Sequence, residues 1–94
     1  MKYLAIETEN DGVKNEQFIP HLKNESLKVL ELYEKGVIRE IYFDQFHCAI
    51  LVLECKGLNE AENIINTLPL VINGLIHFEI RELSSYTGFS RLLQ

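Results

Sequence analysis

Apolar and polar residues alternate along several stretches of this chain and recur at helical spacing along two others. The clearest alternation spans residues 75–83. There Ile76, Phe78 and Ile80 point one way, and His77, Glu79 and Arg81 the other. Residues 2–8 alternate too: Leu4 and Ile6 share one face, and Tyr3, Ala5 and Glu7 the other. Residues 37–43 and 47–55 read as two further strands. Only Asp44, Gln45 and Phe46 part them, which predicts an antiparallel hairpin. Ala49, Ile50, Leu51, Val52 and Leu53 are apolar on both faces, the pattern of a strand covered on both sides.

Helical spacing appears first at residues 16–35, where Phe18, Leu22, Val29, Leu30 and Tyr33 form one stripe with Ser26 as a small member. Proline is tolerated in a first turn and not deeper, so this helix begins near Pro20 or kinks there. Gly36 can take the left-handed conformation that closes it. Residues 57–68 carry a second stripe of Leu58, Ala61, Ile64, Ile65 and Leu68. Gly57 stands at the N-cap, Glu60 suits the dipole at that end, and Pro69 is expected to stop the helix. A turn at Asn73 and Gly74 then launches the last strand, while residues 9–15 make a polar loop.

The order β-α-β-β-α-β is the ferredoxin-like arrangement, an α+β fold. Right-handed crossovers place both helices on one face of a four-stranded antiparallel sheet. The other face is left free, and a second copy's sheet is the expected cover. Residues 1–94 make one domain. Its tail, residues 84–94, carries Tyr86, Phe89, Leu92 and Leu93 as anchors, so it is expected to dock on its own domain or on a neighbour.

Length and charge narrow the partners. A 94-residue domain buries roughly 60–65% of its unfolded surface, so pairing would help it. The net charge is −5 with acids and bases interspersed, which disfavours nucleic acid and anionic membrane. No apolar run reaches the ~20 residues of a membrane span. The first residues read as a strand and not a signal peptide, so a cytoplasmic location is expected. Cys48 and Cys55 would lie on opposite faces of one strand, roughly 23 Å apart, too far to bridge and best read as small buried hydrophobes. His21, His47 and His77 are scattered and match no metal-ligand spacing, so no metal is expected.

Candidate chemistry gathers on the polar side of residues 75–83. His77, Glu79 and Arg81 recur at every second position, roughly 6.6 Å apart along one side of a strand. Burying one of these charges unpaired would cost several kcal/mol, so they are paired, hydrated or exposed. A wet, partly enclosed pocket would satisfy them, with His77 as the group that moves a proton and Glu79 orienting or assisting it. A polar interface, a solvent-facing rim, or ligand binding without chemistry are the other readings. Arg39, Glu40 and Tyr42, with Arg81, are the candidate ligand-binding residues. Alternation groups Arg39 with Val37, Ile41 and Phe43, and Glu40 with Ile38 and Tyr42, without deciding which set meets the helices. A Tyr42 and Glu40 pair facing inward would be a polar partner for His77. His47 reads as a solvated turn histidine and His21 as solvent-facing.

Residues 68–83, with their Leu-Pro-Leu triplet feeding an alternating strand, resemble the end of the muconolactone isomerase family. The hairpin of residues 36–43 and 49–54 is similar to uncharacterised members of that group, as is the tail segment from Tyr86 to Phe89. The resemblance covers most of the chain from Gly36 onward. It implies a dimeric α+β barrel, in which two sheets meet face to face around a lumen, often with further assembly. It also implies a cofactor-independent isomerase that shifts a double bond in a small lactone or carbonyl compound by proton transfer, without a metal. Related barrels oxidise quinol-like substrates without cofactors, so a cofactor-free oxygenase is a variant of the same reading. The family's basic and aromatic cluster is echoed here only by Arg39 and Tyr42, and the chain has no tryptophan. A ligand-binding or purely oligomerising barrel is the non-catalytic alternative.

Overall fold

The computed structural model describes residues 1–94. Strands β1 (Lys2–Glu9), β2 (Ile38–Phe43), β3 (Ala49–Glu54) and β4 (Ile76–Leu83) form one antiparallel sheet in the order β2-β3-β1-β4. Between β1 and β2 lie α1 (Asn15–Phe18), a 3-10 turn (Ile19–His21) and α2 (Leu22–Glu34). Between β3 and β4 lie α3 (Leu58–Ile65) and α4 (Pro69–Ile72). The architecture is the ferredoxin-like α+β fold expected from the element order.

Both helical segments hand over to a strand by the same device. At the end of α2, the Gly36 N–H donates to the Tyr33 carbonyl and the Val37 N–H to the Leu32 carbonyl. At the end of α4, the Gly74 N–H donates to Val71 and the Leu75 N–H to Leu70. Each glycine has positive φ, 78° and 70°, and each pair of bonds satisfies carbonyls that the helix leaves orphaned.

The sheet has a covered and an open face, and register assigns every residue. Tyr3 and Ala5 of β1 stand opposite Leu53 and Leu51 of β3 and beside Glu82 and Ile80 of β4. This is the covered face. Its central residues join Leu32, Ala61, Ile65 and Leu68 of the helical layer in one core cluster. Leu4 and Ile6 face the other way with Val52 and Ile50, and with Arg81 and Glu79.

Local physics altered four sequence expectations. Pro20 stands in the 3-10 turn that separates α1 from α2. Leu32 is the buried residue of α2, whereas Leu22, Leu30 and Tyr33 from the expected stripe are exposed. Pro69 does not simply stop a helix. It opens the new turn α4, where a missing N–H costs nothing. In β2 a bulge between Ile38 and Glu40 breaks the alternation. Ile38 therefore lies on the covered face against Leu53, while Glu40 and Tyr42 pair with Val52 and Ile50 on the open one. Cys55 is buried as expected, but Cys48 is only half-buried and precedes β3; both are free thiols, and burial pushes both up from their ordinary value.

The tail does not pack on its own domain. It forms a 3-10 segment, Gly88–Leu93, with Tyr86, Phe89, Leu92 and Leu93 all exposed. The Tyr86 and Phe89 rings meet edge to face, 5.0 Å between centroids.

Candidate functional site

The open face has an apolar middle and an ionisable border. Leu4 and Ile6 of β1 and Ile50 and Val52 of β3 are half-buried at its centre. On the β4 side stand His77, Glu79 and Arg81, all exposed, as the alternation of that strand required. On the β2 side stand Glu40 and Tyr42.

Each polar group has a partner within the chain. Arg81 donates to Glu79 twice, Nε to Oε1 at 3.1 Å and Nη2 to Oε2 at 3.2 Å. This bond and the carboxylate's charge hold the Arg81 guanidinium protonated even more firmly than usual. The Tyr42 hydroxyl donates to Glu40 Oε1 at 2.8 Å, and that bond, with the carboxylate's charge, raises the phenol's pKa. Tyr42 is thus a neutral donor at ordinary pH, not a base. Arg39 is the extra residue of the bulge, and its Nε donates to the Gly36 carbonyl at 2.6 Å. A cleft of about 360 Å³ lies beside it, lined by Tyr33, Arg39, Glu40, Ile41 and Tyr42.

His77 is held by a residue that the sequence did not single out. Its Nδ1 meets Asn10 Oδ1 at 2.5 Å. Asn10 follows β1 and extends its ladder by one step, with its N–H donating to the Leu75 carbonyl at 3.0 Å. Thr8 pairs directly with His77, so Asn10 is the diagonal neighbour on the same side. In the sequence Asn10 is one polar residue in a loop; only the β1–β4 register could have brought it forward. Glu79, expected to orient His77, is engaged by Arg81 instead.

The proposed pairing of His77 with Glu40 and Tyr42 does not occur within one chain. β2 and β4 are the two edges of the sheet, three strand spacings or roughly 14 Å apart. His47 and His21 lie outside the site. His47 is exposed in the β2–β3 turn with φ 61°, its ring stacked on Phe43 at 4.0 Å. His21 sits half-buried in the 3-10 turn. No group of His, Cys, Asp or Glu side chains is arranged to hold a metal ion. No helix is long and apolar enough to cross a membrane.

The likeness to a solved structure fits this geometry. The chain superposes on 5-chloro-2-hydroxyhydroquinone dehydrochlorinase from Burkholderia phenoliruptrix AC1100, solved in complex with 2,5-dihydroxybenzoquinone. The TM-score is 0.65 over 94% of this chain and 98% of that one. The two share one fold. At 14% identity the likeness reaches no further than fold. No protein-family model matches the sequence, and no curated protein matches it either.

Proposed function

We propose that two copies of this chain pair through their open faces as a barrel of the muconolactone isomerase kind, and that the enclosed space takes a small cyclic carbonyl compound. The observation that carries this is the face itself. Leu4, Ile6, Ile50 and Val52 make an apolar floor with no cover in the chain, ringed by Glu40, Tyr42, His77, Glu79 and Arg81. Such a mixture of apolar lining and a few convergent polar groups is what ligand sites are built from. A structural neighbour of the same fold was solved with a dihydroxybenzoquinone, itself a small cyclic carbonyl compound.

The chemistry proposed is proton transfer. His77 takes a proton from the carbon next to the carbonyl, and the bonding pair moves into an enolate. The same proton returns two carbons along, so a double bond shifts and nothing is oxidised or reduced. Such a step needs no redox cofactor. Arg39 and Arg81 supply positive charge for the enolate oxygen, and Tyr42 a neutral donor once its hydroxyl turns from Glu40 to the substrate. Because Glu40 and Tyr42 lie at the far edge from His77, the second copy's edge is what would bring these groups together. The exposed tail then docks on the neighbouring copy, and the exposed α2 residues Leu22, Leu27, Leu30 and Tyr33 support further assembly.

A non-catalytic binding or assembly barrel is favoured by one observation: Glu79 and Arg81 already neutralise each other along their own strand. Sedimentation combined with turnover separates the readings. The isomerase reading expects a dimer or larger assembly that Val52→Asp reduces to monomer. It also expects turnover on small unsaturated lactones that His77→Ala abolishes with the fold intact. A well-folded monomer at every concentration would sink the barrel in either form. An assembly that binds 2,5-dihydroxybenzoquinone or a lactone, and turns over neither, favours the second reading.

A further inference from the structure

We propose that Asn10 is a positioning residue, which locks the His77 ring as its Nδ1–H tautomer and leaves Nε2 as the basic nitrogen. Its functional meaning rests on the reading of His77 as the proton-transfer group, but the tautomer itself can be tested without any substrate.

The orientation of the Asn10 amide decides the matter. Its Nδ2 lies 2.7 Å from the Gly74 carbonyl oxygen, which can only accept. The amide nitrogen must therefore face Gly74, because the flipped amide would set two oxygens against each other at that distance. Oδ1 is then left to face His77 Nδ1, and it too can only accept. A ring with its proton on Nε2 would oppose two lone pairs across 2.5 Å, so the proton must sit on Nδ1. The ends of this relay are fixed. The Asn10 N–H is bound to the Leu75 carbonyl, and Gly74 is held in the left-handed turn that ends α4. The turn that launches β4 thus dictates, through one amide, which nitrogen of the β4 histidine is the base.

This arrangement runs against the preference of free histidine, in which the Nε2–H tautomer predominates. A general base must present a lone pair to its substrate, and here Nε2 presents it without rearrangement. Asn10 also does for His77 what the neighbouring carboxylate Glu79 does not, since Glu79 is committed to Arg81.

Long-range proton–nitrogen correlation spectra of the 15N-labelled full chain, recorded with the histidines neutral, read the tautomer directly. The expected pattern for His77 is a protonated-type Nδ1 and an unprotonated-type Nε2, the reverse of a free histidine. In Asn10→Ala the pattern should revert to the Nε2–H form. Should turnover be found, Asn10→Ala should lower kcat on the order of ten-fold or more, the scale of losing an orienting partner, with KM little changed. A wild-type His77 protonated on Nε2 overturns the inference and needs no variant to see; so does a pattern unchanged in a folded Asn10→Ala. Absence of turnover with the Nδ1–H pattern intact would count against the isomerase reading alone.

Discussion

Leu53 and Val52 are neighbours in β3, both aliphatic, and their surroundings differ completely. Leu53 is 0% exposed, packed in the cluster with Tyr3, Ile38, the α3 residues Ala61 and Ile65, and Leu68 just ahead of α4. Val52 is half-buried between Leu4 and Glu40, with no layer above it. The same contrast runs across the sheet: Tyr3, Ala5 and Leu51 on one side, Leu4, Ile6 and Ile50 on the other. Burial of apolar surface is the main favourable term in folding. The covered face therefore stabilises the chain, and on the open face the same kind of surface has no cover within it.

Truncation on the two faces should separate them. Leu53→Ala should lose about 2–5 kcal/mol of stability in urea unfolding, the cost of a core leucine with a partly unrelaxed cavity. Val52→Ala should cost far less in dilute solution. Its cost should grow with protein concentration, because a residue buried only by association acts through the assembly equilibrium. If the two variants lose the same amount at every concentration, the open face is already a finished part of a single chain.

A second contrast concerns carboxylates. Glu7 and Glu25 lie half-buried toward the helical layer, and each caps a backbone donor: the Ala49 N–H at 3.1 Å and the Leu70 N–H at 3.0 Å. Desolvation raises both pKa values above 4.5, and these hydrogen bonds only partly offset it. A raised folded-state value means that the native protein binds the proton more readily than the unfolded chain. Their contribution is complete below the unfolded value and is lost as pH rises through the folded one. In Glu7→Gln with Glu25→Gln, that decline should disappear from a plot of unfolding midpoint against pH. Removing the acceptor outright, as in Glu25→Ala, should cost about 1–3 kcal/mol by orphaning the Leu70 N–H.

Much of this organisation is legible in the residue order. Alternation placed His77, Glu79 and Arg81 together on the open side, and Gly36 and Gly74 marked where helices give way to strands. What stayed hidden depends on geometry that no local pattern carries. The bulge at Arg39 turns Ile38 inward against the alternation of its own strand. Along α2 the inward side runs through Glu25, Val29 and Leu32, so Leu22, Leu30 and Tyr33 of the expected stripe stay outside. Asn10 reads as one more polar loop residue until β1 and β4 are in register. In each case a residue's role is set by a shift of one position, or by a partner more than forty residues away.

The smallest expected effect carries the opposite sign and so sharpens the carboxylate contrast. Glu31 sits on the solvent side of α2 and accepts from Lys28 at 2.8 Å and Lys35 at 3.0 Å. These hydrogen bonds lower its pKa from 4.5 to about 2. A depressed folded-state value gives stability that is present above the unfolded value and lost as pH falls from about 4.5 toward 2. The pairs are exposed, so solvent and salt screen most of this. Glu31→Gln should therefore change the unfolding midpoint only slightly at neutral pH and low salt. The difference from the parent should be mostly gone at pH 2, close to the folded-state value, and it should shrink at 1 M salt, where the Debye length is about 3 Å. Glu7 and Glu25, shielded by the helical layer, should keep their pH dependence in the same salt. If instead all three carboxylates respond alike to salt, the covered side is wetter than its packing implies.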